Sequence, residues 1–128
     1  MKKGFTLLEL LIVVIIIGLL ATLALPNFLR GAERARWSEA KNLLGALRGS
    51  QIRYYAQYET YATNLENLDV NITDLTGSGA GKHFSFTVEA NENNLAQATR
   101  TGGPYRGATV SIDFYGNFSY SGAPEWLQ

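Results

Sequence analysis

Cysteine is absent from all 128 residues, which excludes a disulfide framework and any thiolate metal site. Whatever lies outside a membrane must be held by its own packing. Excess charge is missing too: 11 basic and 11 acidic residues give a net charge of zero, so nothing demands nucleic acid as a partner. The lone histidine, His83, has no paired acids at ligand spacing and reads as a surface loop residue. No nucleophile with a base, no H-E-x-x-H and no nucleophile elbow occurs, so we expect no catalytic residue, no cofactor site and no enzyme. Gly77 to Lys82 approaches a phosphate loop, but Thr76 and His83 stand where the pattern needs glycine and a hydroxyl. Asp69 and Asp74 could offer oxygens to calcium, yet no dense ligand pattern joins them, and no metal is expected. Two glycosylation triplets, Asn71-Ile72-Thr73 and Asn117-Phe118-Ser119, are of a kind common by chance.

What the chain does have is concentrated at its start. Lys2, Lys3 and Gly4 lead into an apolar run that reaches Pro26, broken by one carboxylate, Glu9. Counted from Phe5, the run makes a helix of about 30 Å, enough to cross a bilayer core. An ordinary secretory signal fits poorly. The run exceeds the usual 7–15 residues or so of such an apolar region. A lone carboxylate at its front would also cost about 2–3 kcal/mol in lipid. A plain anchor leaves Glu9 unexplained.

Gly4-Phe5-Thr6-Leu7-Leu8-Glu9, after a basic leader and before an apolar helix with Gly18 and Pro26, resembles the type IV prepilin motif. That family covers type IV pilins and the pseudopilins of type II secretion. The resemblance implies residues 1–4 as a leader, cut between Gly4 and Phe5 by a membrane prepilin peptidase, with methylation of the new Phe5 amine. Residues 5–28 would be a transmembrane helix that later joins a filament core. Glu9 would set subunit register by pairing with the Phe5 amine of a neighbour, because weak screening in an apolar bundle rewards matched stagger. Implied partners are membrane lipid before assembly, the peptidase, an inner-membrane assembly platform and sister subunits in a helical homo-oligomer. The flanking charges alone barely decide orientation, since Arg30, Arg34 and Arg36 balance Lys2 and Lys3. The resemblance implies a cytoplasmic N-terminus in the inner membrane, then a cell-surface pilus or a periplasmic pseudopilus. The expected function is a structural pilus subunit, with a secretion pseudopilin as the alternative. A secreted or membrane-anchored binding domain is the rival from another class.

The fold class expected is α+β: one long N-terminal helix packed on three or four antiparallel strands. Pro26 removes a backbone hydrogen bond and Gly18 weakens the turn before it, so a kink or local melting is expected between them. Residues 29–58 form an amphipathic helix whose stripe includes Leu29, Ala32, Arg36, Ala40, Leu43, Leu47, Gln51, Tyr54 and Tyr58, widened by Leu44 and Tyr55. Gly31, Gly45 and Gly49 would suit a close approach to another helix or a sheet, and simple drift explains them equally. Residues 59–81 connect, with a capping box at Thr63-Asn64-Leu65-Glu66 opening one turn through Leu68 and a flexible glycine loop at 77–81. Period-two alternation over Phe84, Phe86 and Val88, and again over Val110, Ile112 and Phe114, places a sheet at 82–121. In the tail, 122–128, Trp126 and Leu127 should dock. Residues 30–58 carry six cations against two acids, a net of +4, and 59–128 three against eight, a net of −5. Attraction between subunits and mere solvation weigh equally.

Overall fold

A computed structural model describes residues 2–71, 75 and 82–128. The chain divides into two compact units, Met1–Arg34 and Ala35–Gln128. One helix, α1 (Leu7–Tyr58), supplies nearly all of the first unit and opens the second. Asp74, the glycine loop at 77–81 and most of the Asn71 triplet lie outside the described residues.

In the first unit, every large apolar side chain from Phe5 to Leu29 is between 48% and 88% exposed. Such a surface needs lipid or other helices as its solvent. The helix continues without a break through Gly18 and Pro26. Two side chains bond to backbone carbonyls near the proline: Thr22 Oγ1 donates to Leu19 at 2.7 Å and Asn27 Nδ2 to Leu23 at 3.5 Å.

The second unit is a meander of β1 (Phe84–Asn91), β2 (Asn94–Arg100), β3 (Thr109–Ile112) and β4 (Phe118–Ser121), all antiparallel, in spatial order β1-β2-β3-β4. The sheet is open. Its alternation is as expected in β1, where Phe84, Phe86 and Val88 are buried and Ser85, Thr87 and Glu89 are exposed. Register aligns Val88, Ala96, Ile112 and Phe118 in one row and Phe86, Ala98, Val110 and Tyr120 in the next. The small Ala96 and Ala98 occupy the middle, fully buried between larger neighbours, which leaves room above β2 for helix side chains. Trp37, Ala40, Leu44 and Leu47 fill that core together with the sheet residues and Leu127.

The buried helix face is turned slightly from the expected stripe. Trp37 rather than Arg36 is buried, packing edge-on to Phe84 at 5.1 Å between ring centres. Leu29 and Tyr58 are exposed, Leu44 is buried, and Leu43 only partly so. The sheet selects whichever side chains face it, and periodicity alone carries an error of one residue. Gly31 and Gly45 have nothing within 4 Å of where a Cβ would stand, and Gly49 meets only the end of Arg53. No close approach within the described residues accounts for these glycines.

The short turn after α1 is a 3-10 helix at Leu65–Asn67, capped by Asn64 rather than Thr63; the Asn64 side chain accepts from Glu66 N at 3.1 Å. The tail docks as expected: Leu127 is buried and Trp126 packs edge-on to Tyr105 at 5.9 Å.

Candidate functional site

The site begins where α1 begins. Thr6 precedes the first helical residue, and its Oγ1 accepts from the Glu9 backbone N–H at 3.2 Å. Glu9 returns the bond, its Oε2 accepting from Thr6 N at 2.9 Å. This is a capping box, which satisfies two of the amide donors a helix start leaves unpaired and places a carboxylate at the positive end of the helix dipole. The pattern Thr6-x-x-Glu9 before an apolar run was legible in the sequence but overshadowed by the register role expected for Glu9. The cap engages one of the two carboxylate oxygens and leaves lone pairs for a further donor. The bond to Thr6 N holds that carboxylate at the start of the helix. The site residues expected from sequence thus fall into two places: Gly4, Phe5 and Glu9 around the helix start, and Gly18 with Pro26 farther along the same exposed helix.

In the second unit the polar groups serve structure. Gln51 is fully buried. Its Oε1 accepts from Ala62 N at 2.8 Å, while Nε2 donates to Ala62 O at 2.8 Å and lies 3.3 Å from Leu95 O and 3.4 Å from Glu89 O. One side chain therefore ties helix, connection and hairpin together. In sequence it was only a polar break in the stripe. Arg48 Nε donates to the Phe114 carbonyl at 2.7 Å and packs over Gly116, whose φ of +91° needs glycine at the β3–β4 turn. Asp113 closes that turn by accepting from Asn117 N at 2.8 Å and Asn117 Nδ2 at 2.9 Å, which lowers its pKa. Asn117, one of the glycosylation candidates, is engaged there.

Asp69, weighed for calcium, is instead gripped by Arg53 through two bonds of 2.8 and 2.9 Å and by the Ser50 hydroxyl. Hydrogen bonds from Arg53 and then Ser50 bring its pKa down to about 2. A carboxylate already matched to a guanidinium is a poor start for a cation site. Among the described residues no group of three or more acids, histidines or cysteines could hold a metal. Glu33 and Arg100 are buried charges the sequence did not flag. Arg100 Nη1 donates to the His83 carbonyl at 2.9 Å, with the guanidinium 5.4 Å from the Phe84 ring centre. His83 is half-buried rather than fully on the surface. Burial lowers its pKa first, and the nearby Arg36, Arg100 and Lys82 lower it further against the opposing pull of Glu39.

A long N-terminal helix, exposed and apolar in its first half and packed in its second on an open four-stranded antiparallel sheet, is the α+β architecture of a pilin. Residues 1–25 match the model of the prokaryotic N-terminal methylation motif. The type IV major pilin protein PilA of Myxococcus xanthus is 47% identical over 61 residues, 48% of this chain and 28% of that protein. A type IV major pilin protein PilE1 of Neisseria gonorrhoeae is 39% identical over 99 residues, 77% of this chain and 53% of the relative. The type II secretion system core protein G of Aeromonas hydrophila is 32% identical over 77 residues, covering 60% and 54%. The matches thus span between about a quarter and about half of these relatives' lengths. No solved structure gives a significant match. Motif and relatives together support the resemblance to type IV pilins and type II secretion pseudopilins.

Proposed function

We propose that this chain is a structural subunit of a type IV pilus-like filament and not an enzyme. It would be made as a precursor whose residues 1–4 are removed between Gly4 and Phe5, with methylation of the new amine. The observation that carries the reading is the solvent-facing apolar helix that starts with the Thr6–Glu9 capping box. Before assembly this helix would sit in the inner membrane, leader inside and residues 30–128 outside. It would leave lipid for a bundle of sister helices, an equally apolar solvent.

Glu9 is the feature that makes that bundle selective. Its capped carboxylate keeps acceptor capacity on the side toward the helix start, where the Phe5 ammonium of a neighbour would approach. In a low-dielectric bundle that pairing is strong, and a slipped register leaves two unpaired charges. Gly18 and Pro26 would provide a section of stem able to lose helix and stretch. Peptidase, assembly platform and sister subunits are the partners this reading requires. The similarity to core protein G of type II secretion favours a second reading, a periplasmic pseudopilus built by the same chemistry.

Intact mass and N-terminal sequencing of the mature chain provide the test, with the Glu9→Ala variant alongside. The expected chain starts at Phe5 with one added methyl, and Glu9→Ala inserts in membrane but yields few filaments. A mature chain starting near Leu25, or still at Met1, refutes the reading; normal filament yield from Glu9→Ala refutes the register role.

A further inference from the structure

The second unit is polarised along the strands of its sheet. The ladder of β1 and β2 has Phe84 opposite Arg100 at one end and Asn91 opposite Asn94 at the other. Seven residue steps separate those ends, about 23 Å. Lys82, His83 and Arg100 stand at the first end, and the loop 101–108 brings Arg106 back to it, since Gly107 N donates to Arg100 O at 2.8 Å. Arg36 of α1 lies close enough there to bear on the His83 imidazole. Lys82 and Arg106 are exposed and Arg36 is half-exposed. The acids nearby include Glu39 and Glu125, the latter beside the Trp126 that packs on Tyr105, and the buried Glu33 stands one turn before Arg36 on α1.

The far end has the opposite character. Glu89 and Glu92 are exposed on the β1–β2 hairpin. Tyr61 donates its hydroxyl to Glu92 Oε1 at 3.4 Å and stacks on Tyr55 at 4.7 Å. Glu59, just past the helix, donates its N–H to Tyr55 O at 2.8 Å. Tyr55 and Tyr58 are about half exposed. The cations on the same stretch of α1 are engaged elsewhere, Arg48 by the Phe114 carbonyl and Arg53 by Asp69.

We propose that these two ends are complementary interaction surfaces, the acidic, tyrosine-lined end (Tyr55, Tyr58, Glu59, Glu89 and Glu92) docking on Arg36, Lys82 and Arg106 of a second copy of this chain. Carboxylates beside aromatic faces suit guanidinium and ammonium groups, through charge-assisted hydrogen bonds and cation–π attraction. Because the two surfaces lie at opposite ends, the contact is heterologous, and repetition gives an open series rather than a closed dimer. Such a contact steers and aligns subunits more than it binds them, and salt weakens it. The inference rests on the filament reading for its biological setting.

The absence of native cysteine makes the test clean. The full chain in detergent, with no common bilayer to hold the copies at one height, carrying Glu89→Cys together with Lys82→Cys, is treated with a short bismaleimide. The expected result is a ladder of dimers, trimers and larger species, with dimers at most from either single variant. Adding Glu59→Lys with Glu92→Lys cuts the ladder about tenfold, and adding Arg36→Glu with Arg106→Glu on top restores it. Glu59→Gln with Glu92→Gln serves if the reversed chain melts early. No ladder from the double-cysteine chain, or a ladder indifferent to the reversals, overturns the contact. A ladder without sheared filaments on microscope grids upholds the contact and removes the filament reading; filaments without a ladder do the reverse.

Discussion

Replacing Gln51 with alanine should cost this protein a large share of its stability, although no apolar side chain is lost. The amide orientation is settled by its partners: Ala62 N can only donate, so Oε1 must face it and Nε2 must face the Ala62 carbonyl. Both Ala62 groups are buried, the residue being 2% exposed. In Gln51→Ala each would be stranded, at about 1–3 kcal/mol apiece. The weaker bonds toward Leu95 and Glu89, and the space left by the truncated side chain, bring the expected loss to about 3–5 kcal/mol. A typical domain has about 5–15 kcal/mol in total. Urea unfolding of the full chain in detergent measures it, followed by the fluorescence of Trp37, which is buried against Phe84. With a slope of about 1.5–2 kcal/mol per molar, the midpoint should fall by roughly 2 M. Gln57→Ala, on an exposed turn of the same helix, should change stability by less than about 0.5 kcal/mol. A loss under about 1 kcal/mol for Gln51→Ala would mean that water or relaxation replaces the lost bonds, and would refute the reasoning.

Two further outcomes follow from backbone and charge. Asp69 has a folded pKa depressed to about 2, below the unfolded value of about 3.9. Its contribution is therefore fully present above about pH 4 and lost as pH falls through 2. Asp69→Asn should flatten that part of the acid limb of the stability curve, while Arg53→Ala should raise the Asp69 pKa in a carboxylate NMR titration; an unchanged titration argues against the pair. Glu59 holds a φ of +58° at the end of α1, a conformation that suits glycine. Glu59→Gly should stabilise the fold by about 1 kcal/mol, read as a higher melting temperature, and a lower one would show that the side chain matters more than the strain.

How much of this was legible beforehand depended on the range of the interaction. The helix boundary at Tyr58, the strand alternation through Phe84, Phe86 and Val88, and the docking of Leu127 all follow from periodicity and turn residues. The capping box at Thr6 and Glu9 was written in four adjacent residues and could have been read. The Asn64 cap was missed by one position because Thr63 offered the same chemistry.

Local chemistry is thus what the sequence determines by itself. The apolar run and its single carboxylate define a helix that needs lipid or its own kind around it, and alternation defines a sheet with one apolar face. Tertiary structure alone decided which helix residues meet that face, moving burial from Arg36 to Trp37 and making Gln51 a clasp between α1, Ala62 and the hairpin. It also decided that Asp69 belongs to Arg53 and that Lys82 and Arg106 stand at the end of the sheet opposite Glu89 and Glu92. Each of these joins groups distant in sequence, and a pattern along one chain cannot carry the distance between two parts of it.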